Sequence, residues 1–278
     1  MRKNTKPLLL FFLLLFLVFI FLLLSGNHFY TEWLWFKNLN LTKTFLTMFF
    51  SNYVLRIIIG LSFSIFIFIN LFFTRKPLLD YLNHKKSIRV ESLFGGDEDL
   101  LLNWINARRL NYIYILISLV SGFLFTSIRS DLWEIVLKYF NQTPFHLQDP
   151  IFSNDITFYV FSLPFFQILK GMAVALVLIT LIIVAIIYLI IAGIKSFRDL
   201  QGRPRRHLLF LLTLLLLLKA WDYRLQAYEL LYASGGVFFG AGFTDIYAKL
   251  PALRFLIFIV LLIAVFMLIS IFRKNNRL

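Results

Sequence analysis

The sequence predicts an all-α protein, a polytopic membrane bundle of about six transmembrane helices with both termini in the cytoplasm. Three observations indicate this fold: long apolar runs without charge, basic residues concentrated in alternate connectors, and a very apolar composition. Of 278 residues, 60% are hydrophobic and 15% are charged, which leaves too few polar side chains to cover a water-facing surface. We therefore treat residues 1–278 as a single transmembrane domain.

The apolar runs begin close to the first residue. Leu8–Leu24 contains only Leu, Phe, Val and Ile, and it follows Arg2, Lys3 and Lys6. A helix rises about 1.5 Å per residue, so such a run is long enough for about 30 Å of hydrocarbon. The run is longer than the apolar core of a signal peptide, and we expect it to remain as an anchor. The predicted spans are 8–25, 48–73, 110–128, 166–193, 208–231 and 253–272.

The basic residues predict how the spans are oriented. Eighteen of the 28 Lys and Arg residues lie in the N-terminal segment, the connectors 74–109 and 194–207, and the C-terminal segment. Cytoplasmic connectors carry such an excess, so the prediction is a multi-pass protein of the cell membrane with structured outer loops at 129–165 and 232–252. The net charge of +14 then reflects contact with anionic lipid headgroups. It does not indicate a nucleic-acid partner.

Two amphipathic segments lie outside the predicted spans. In the first, Asp97-Glu98-Asp99 precedes apolar residues at helical spacing, which indicates either a short interfacial helix or an extension of the third span. In the second, residues 131–139 place Leu132, Ile135, Val136 and Tyr139 on one helical face. We expect this second helix to lie along the outer surface.

Two outer segments carry long motifs. Residues 140–166 read FNQTPFHLQDPIFSNDITFYVFSLPFF, and residues 219–251 read KAWDYRLQAYELLYASGGVFFGAGFTDIYAKLP. Together with the WLWF element at 33–36, they resemble the UPF0182 family of bacterial integral membrane proteins over essentially the whole chain. The resemblance implies a membrane location but no particular reaction. Members of the family are usually longer, with a large extracytoplasmic domain, so we expect this chain to correspond to the membrane module alone.

A polar stripe is predicted in the fifth span. Lys219, Asp222, Tyr223 and Gln226 follow i, i+3, i+4, i+7 spacing and share one helical face. Ionisable groups deep in a bilayer are costly and usually face a protein interior or a water-filled cavity. The stripe therefore predicts a polar path or ligand site. The alternative is that the helix ends near Ala220 and that Lys219 extends to the interface, where it pairs with Asp222.

The outer motifs contain a second set of candidate residues. Paired carboxylates such as Asp149 and Asp155 suit acid–base chemistry or a hard cation. However, Pro150 restricts Asp149 to extended geometry, and Asp155 is placed to cap a helix, so a turn and a cap are the favoured interpretation. Gly240, Gly242 and Asp245 lie in a Gly-rich segment that lacks the strand and helix of a nucleotide site, and tight turns are expected there.

The remaining chemistry-bearing residue types exclude several classes of site. The chain has no cysteine, which excludes thiol catalysis, disulfides and Cys-ligated metals. Its four histidines lack metal-ligand spacing, and no HExxH, GxSxG, Walker or EF-hand motif is present. We therefore predict no catalytic, cofactor-binding or metal-ligating residue, and no cofactor.

These observations leave three hypotheses for function. The leading one is a non-enzymatic membrane scaffold or assembly component whose outer loops dock an extracytoplasmic protein partner, with the lipid bilayer as its other partner. The second is a transporter or channel subunit that uses the stripe around Lys219 and Asp222. The third is a membrane-embedded enzyme that acts on lipid or envelope precursors through Asp149 and Asp155.

Overall fold

The described part of the chain is helical. A computed structural model describes residues 16, 27, 29–90, 106–127, 131–192, 202–232 and 240–273. Within them the regular elements are helices, with one isolated antiparallel bridge between Gln148 and Asp155. The α-helices are α1 over residues 29–38, α2 Thr42–Val90, α3 Ala107–Ser127, α4 Leu132–Phe140, α5 Leu163–Ala192, α6 Arg203–Glu229 and α7 Leu250–Phe272. The predicted all-α class is thus confirmed for these residues.

Four helical stretches are long and apolar enough to cross a membrane. They are Thr42–Asn83, Ala107–Ser127, Phe158–Ala192 and Asp245–Phe272, where π-helical turns at Phe158–Ser162 and Asp245–Lys249 lead directly into α5 and α7. Their apolar side chains are widely exposed, as Phe123 at 72% illustrates, which suits contact with lipid tails. These stretches correspond to the second, third, fourth and sixth predicted spans.

The other two predicted spans do not correspond to any of these four stretches. The first, at 8–25, lies outside the described residues except for Phe16. The fifth corresponds to α6, which is one continuous helix. Its apolar run from Leu208 to Leu218 is short, and the charged residues Arg206, Lys219 and Asp222 flank it closely. The described helices therefore include four with the length and composition of membrane spans, and not six.

Helix α2 is much longer than the predicted membrane span. That span ends at residue 73, whereas the helix continues through Pro77 to Val90. Its apolar face also continues: Leu78 and Leu79 pack against a core formed by Ile67, Leu71, Leu110 and Tyr114, and Leu82 is buried. This packing stabilises helical backbone beyond a proline that would otherwise interrupt it. The helix or extension expected at residues 97–105 lies outside the described residues.

The chain forms two compact units, Met1–Leu55 and Arg56–Leu278. The first unit contains an aromatic cluster in which the ring centroid of Phe49 lies 4.8 Å from that of Phe29 and 4.5 Å from that of Tyr53. Phe45 is buried there. In the same unit the ammonium group of Lys37 lies 4.8 Å from the centroid of the Trp33 ring, a favourable cation–π distance.

Among the described residues, the second unit contains antiparallel helix pairs that include α2–α3, α5–α6 and α6–α7. In the α2–α3 pair, Thr74 Oγ1 lies 2.9 Å from Tyr114 OH. In the α5–α6 pair, Val177, Val184, Tyr188 and Leu211 form a buried core. We call the end that carries residues 141–162 and 240–249 the loop end, and the end that carries Arg75, Arg108, Arg109 and Arg203 the arginine end.

Small residues allow α2 and α3 to approach closely. A Cβ atom on Gly122 would collide with Ser64 Oγ and lie 2.5 Å from the carbonyl oxygen of Gly60. Ser118 and Thr126, one turn to either side of Gly122, are buried as well. Such small-residue seams are typical of helix pairs in lipid, where close backbone contact replaces the hydrophobic driving force.

A buried polar contact joins three helices at the arginine end. His207 of α6 lies 3.0 Å from Asn70 Oδ1 of α2 through Nε2, and 3.0 Å from Tyr188 OH of α5 through Nδ1. Because Asn70 Oδ1 can only accept, Nε2 of His207 donates to it. In the neutral imidazole, Nδ1 then accepts from the Tyr188 hydroxyl, so all three side chains are satisfied.

Candidate functional site

The predicted stripe on α6 converges on the carboxylate of Asp222. Lys170 of α5 places Nζ 2.6 Å from Asp222 Oδ1. On the other oxygen, Oδ2, Lys219 Nζ approaches to 2.6 Å and Gln226 Nε2 donates at 2.8 Å. Both carboxylate oxygens are thus engaged, and one of their donors comes from a different helix.

The two lysines of this cluster differ in solvent exposure. The side chain of Asp222 is 14% exposed and that of Lys170 is 22% exposed, whereas Lys219 is 47% exposed. Charge attraction is weakened most where water reaches the pair, so the contact with Lys170 is the stronger one. Two ammonium groups share one carboxylate, and the cluster keeps one net positive charge.

The fourth residue of the stripe, Tyr223, contacts the cluster through its ring. Lys219 Nζ lies 4.5 Å from the Tyr223 ring centroid, which adds a cation–π contact on the exposed side. The helix does not end near Ala220, as the alternative interpretation supposed, but continues to Glu229. Continuous helix keeps the four stripe residues on one face.

The polar contacts extend one turn further towards the loop end. Gln167 Nε2 of α5 donates to Glu229 Oε1 of α6 at 2.5 Å and also lies 3.3 Å from Tyr232 OH. We call the whole set the polar seam: Gln167 and Lys170 of α5, with Lys219, Asp222, Gln226 and Glu229 of α6. The seam joins the two helices side chain to side chain along the half nearest the loop end.

The outer-loop residue Asp149 organises the chain that follows it. Its Oδ1 accepts hydrogen bonds from the backbone N–H groups of Ile151 at 2.8 Å and Phe152 at 2.6 Å. Its Oδ2 accepts from Asn154 N at 2.8 Å and from the Tyr159 hydroxyl at 2.7 Å. Partial burial acts to raise the pKa of Asp149, but these hydrogen bonds outweigh it and the pKa is lowered.

Asp155 closes the same loop from the other side. Its Oδ1 accepts from Thr157 N at 2.8 Å and from Phe145 N at 3.2 Å. Thr157 Oγ1 also accepts from Phe145 N, at 3.0 Å, and donates to the carbonyl of Thr143 at 3.0 Å. Hydrogen bonding by Thr157, whose backbone N–H donates to Oδ1, lowers the pKa of Asp155 to about 2. A carboxyl group with so low a pKa is a poor general acid or base near neutral pH.

This loop packs on α6 beside the polar seam. The Tyr228 ring centroid lies 4.9 Å from that of Phe152 and 5.0 Å from that of Phe158. Arg224 Nε donates to the Tyr228 hydroxyl at 3.0 Å. Because Tyr228 directly precedes Glu229, the structure brings Asp149, Pro150 and Asp155 to the same end of the same helix as the seam.

The residues before α7 form a turn of their own. Gly240 has a φ of +106°, a conformation that favours glycine. The N–H of Gly242 donates to Asp245 Oδ2 at 2.9 Å, and Lys249 Nζ lies 2.7 Å from Asp245 Oδ1. Asp245 thus fixes the start of the π-helical turn. The part of the Gly-rich segment at residues 233–239 lies outside the described residues.

An open groove is also lined by Gln167. It encloses about 410 Å³ and is lined by Phe125, Leu132, Gln167, Ile168, Gly171, Met172 and Ala175. The lining is mostly apolar and includes neither Asp149 nor Asp155. The groove is therefore separate from the carboxylates that a membrane enzyme of the third hypothesis would use.

Sequence reasoning missed two members of the seam and the histidine contact. Lys170 and Gln167 were not singled out, although Lys170 is the one charged residue in the helix Leu163–Ala192. A lone ionisable residue in so apolar a helix is itself a signal of a buried partner. His207 was set aside for lack of metal-ligand spacing, yet it bonds to Asn70 and Tyr188.

The fold and the seam define an α-helical protein with helices suited to a bilayer. A family model described as "Uncharacterised protein family (UPF0182)" matches residues 9–278. A UPF0182 protein of Desulforamulus reducens is 37% identical over 269 residues, which cover 91% of this chain and 28% of that protein. The chain therefore belongs to the UPF0182 family.

Other relatives match in the same way. A UPF0182 protein of Moorella thermoacetica is 33% identical over 258 residues, or 91% of this chain and 28% of that protein. One from Synechococcus sp. (strain JA-2-3B'a(2-13)) is 46% identical over 126 residues, or 44% of this chain and 15% of that protein. The chain spans less than a third of the length of these relatives. No solved structure matches it.

Proposed function

We propose that this chain is a non-enzymatic, multi-pass module of the cell membrane, with both termini in the cytoplasm, that presents an ordered outer loop to an extracytoplasmic protein partner. One observation carries the proposal. Asp149 fixes the loop with four hydrogen bonds, while Phe145 and Leu147 remain 48% and 61% exposed. The loop is thus both ordered and apolar on its surface.

Such a loop suits protein recognition. A backbone that is already fixed loses little conformational entropy when a partner binds, and exposed aromatic side chains are frequent anchors of interfaces. Phe243, before α7 at the same end, is 76% exposed and extends the surface. The curated relatives are more than three times as long as the stretch this chain matches, so polypeptide of the same family outside that stretch is the occupant we favour.

The carboxylate chemistry supports a structural role over catalysis. Asp149 and Asp155 accept hydrogen bonds from their own loop, and Asp222 is engaged by three donors. A transporter or channel subunit remains the second candidate, favoured by the charged side chains of Lys170, Lys219 and Asp222 between α5 and α6. In that case replacement of Lys170 and Asp222 together by apolar residues abolishes transport, whereas a docking module tolerates the double change.

The docking proposal is tested with photoreactive amino acids in native membranes. We expect a photoreactive residue in place of Phe145 or Phe243 to form an adduct with one defined envelope protein. The matched control is Phe123 of α3, which is about as exposed as Phe243 and where only lipid adducts are expected. Asp149→Asn should weaken the adduct at position 145, because an amide nitrogen cannot accept from the N–H of Asn154. Only lipid adducts, or none, at both loop positions would overturn the proposal.

A further inference from the structure

The apolar groove beside α5 has one polar end. Its volume is about 410 Å³, and on α5 it extends from Gln167 to Ala175. Phe125 of α3 and Leu132 of α4 complete its walls. Gln167 is the one polar residue among those that line it, and it lies at the end of the groove nearest the loop end.

Gly171 deepens this groove. Among the described residues, no atom lies within 4 Å of a Cβ atom built on Gly171, whereas a Cβ atom on Gly122 would collide with Ser64 of α2. Gly122 thus allows two helices to approach, and Gly171 does not. A glycine inside a helix is destabilising relative to alanine, and no helix contact of Gly171 offsets that cost. Its missing side chain instead leaves space in the groove, and the small Ala175 continues that space one turn further.

The groove opens onto a surface that faces lipid. It is formed largely by two of the membrane-capable stretches, Ala107–Ser127 and Phe158–Ala192. Beside its lining residues, Leu124 is 59% exposed and Leu169 is 43% exposed. Water is absent from the hydrocarbon layer, and an empty groove would lose the dispersion contacts of its lining. Apolar material therefore fills it, and the two candidates are a lipid chain and a helix of another protein copy.

The width of the groove distinguishes between these occupants. Ala175 lies eight positions after Gln167, which is about 12 Å along a helix. A volume of about 410 Å³ over that length gives a cross-section of about 35 Å². An α-helix with its side chains is about 10–12 Å in diameter and needs about 80 Å² or more. The groove is thus too narrow for a helix, whereas a single hydrocarbon chain fits.

We propose that this groove binds one acyl chain of a phospholipid from the leaflet at the loop end. The glycerol ester region lies beside Gln167, at the polar end, and the chain extends along Gly171 towards Ala175. Met172 suits this lining because its unbranched, polarizable side chain adapts to a flexible ligand. The bound chain contacts three helices at once, unlike lipid on a single helix surface. The site does not depend on the proposed docking of a protein partner.

Photoreactive lipid tests the proposal on the purified full chain. The chain is reconstituted in phosphatidylcholine vesicles in which part of the phospholipid carries a diazirine on one acyl chain, and adducts are located by mass spectrometry. Adducts are expected at Met172, and they should be lost in Gly171→Phe, because the new ring occupies the groove. Adducts at the exposed Phe123, outside the groove, should persist in both proteins.

The matched control is Leu169→Phe, which places the same side chain on the same helix outside the groove and should leave the adducts at Met172 unchanged. After extraction into a neutral detergent, the native chain and Leu169→Phe should each retain one phospholipid per chain, and Gly171→Phe should retain none.

Two results would overturn the proposal. One is a native level of Met172 adducts in Gly171→Phe, which would mean that the chain is ordinary surrounding lipid. The other is the absence of Met172 adducts in the native chain while Phe123 is labelled, which would mean that protein fills the groove. If Gly171→Phe does not fold, Ala175→Leu provides the same comparison.

Discussion

Lys170 Nζ of α5 lies 2.6 Å from Asp222 Oδ1 of α6, although the two residues are 52 positions apart in the sequence. This contact joins the two helices. Lys170 is the one charged residue of this thirty-residue helix, and its partner Asp222 also contacts Lys219 and Gln226. The contact explains how a charge is accommodated at that position. Because of this contact, a single substitution within the polar seam can leave a charged side chain without a partner.

We expect Asp222→Ala to lower the free energy of unfolding by about 3 kcal/mol or more, since removal of one partner leaves a poorly solvated charge unpaired. The double variant Lys170→Met with Asp222→Leu should regain part of that loss, because no unpaired charge remains on α5. Reversible unfolding in detergent measures both values.

Lys219→Met supplies the control for this prediction. Its ammonium group is half-exposed, and we expect a change of less than about 1 kcal/mol. If Asp222→Ala and Lys219→Met reduce stability equally, then water solvates the whole cluster. The contact between Lys170 and Asp222 would in that case not hold the helices together.

Because α2 and α3 approach closely, we expect a substitution of Gly122 to lower the stability of the protein strongly. Gly122→Ala places a methyl group against Ser64 Oγ and the carbonyl of Gly60, and we expect a loss of about 1–3 kcal/mol. Gly171→Ala is the matched control, because nothing lies within 4 Å of a Cβ atom there. That change should be neutral or stabilising by up to about 1 kcal/mol through helix propensity. Equal Tm shifts in the two variants would contradict the packing.

The outer loop should lose stability in acid. Hydrogen bonds to the ionised form lower the pKa of Asp149, and they lower that of Asp155 from 3.8 to about 2. A lowered pKa means that the contribution of the group is fully present above its unfolded value and is lost as pH falls through the folded value. The Tm difference between the native chain and Asp155→Asn should therefore shrink as pH falls from 3.8 towards 2. If the Tm difference stays constant over this pH range, the ionised form of Asp155 does not stabilise the loop.

Orientation in the membrane is testable because the chain has no native cysteine. In intact cells, the cysteines of Asp97→Cys and Arg203→Cys should resist a membrane-impermeant thiol reagent, because the positive-inside rule places both positions in the cytoplasm. Those of His146→Cys and Phe243→Cys should react. Labelling at position 203 from outside would reverse the predicted topology.

Helix positions followed from the sequence, but helix lengths did not. Charge-free apolar runs located α2, α3, α5 and α7 because a bilayer demands such runs. The extension of α2 to Val90 was missed, since Arg75 and Lys76 end the apolar run. The helix continues because Leu78 and Leu79 pack against a core to which α3 contributes. This packing cannot be predicted from the sequence pattern of α2 alone.

Only the part of the candidate site that lies on α6 was predicted from the sequence. Helical spacing placed Lys219, Asp222 and Gln226 on a common face, because that spacing depends on α6 alone. The contribution of Lys170 depends on how α5 is rotated and shifted against α6, which the sequence does not state.

The spacing of two contacts along α5 has a consequence for membrane thickness. Lys170 bonds to α6 near the loop end and Tyr188 does so near the arginine end, about 27 Å apart at the rise of a helix. The hydrocarbon layer is about 30 Å thick, and the apolar side chains of α5 continue beyond Tyr188 to Ala192, so the two polar contacts lie close to opposite faces of that layer. We expect the hairpin to match a bilayer of ordinary thickness and to lose stability in a much thinner or thicker one, through hydrophobic mismatch.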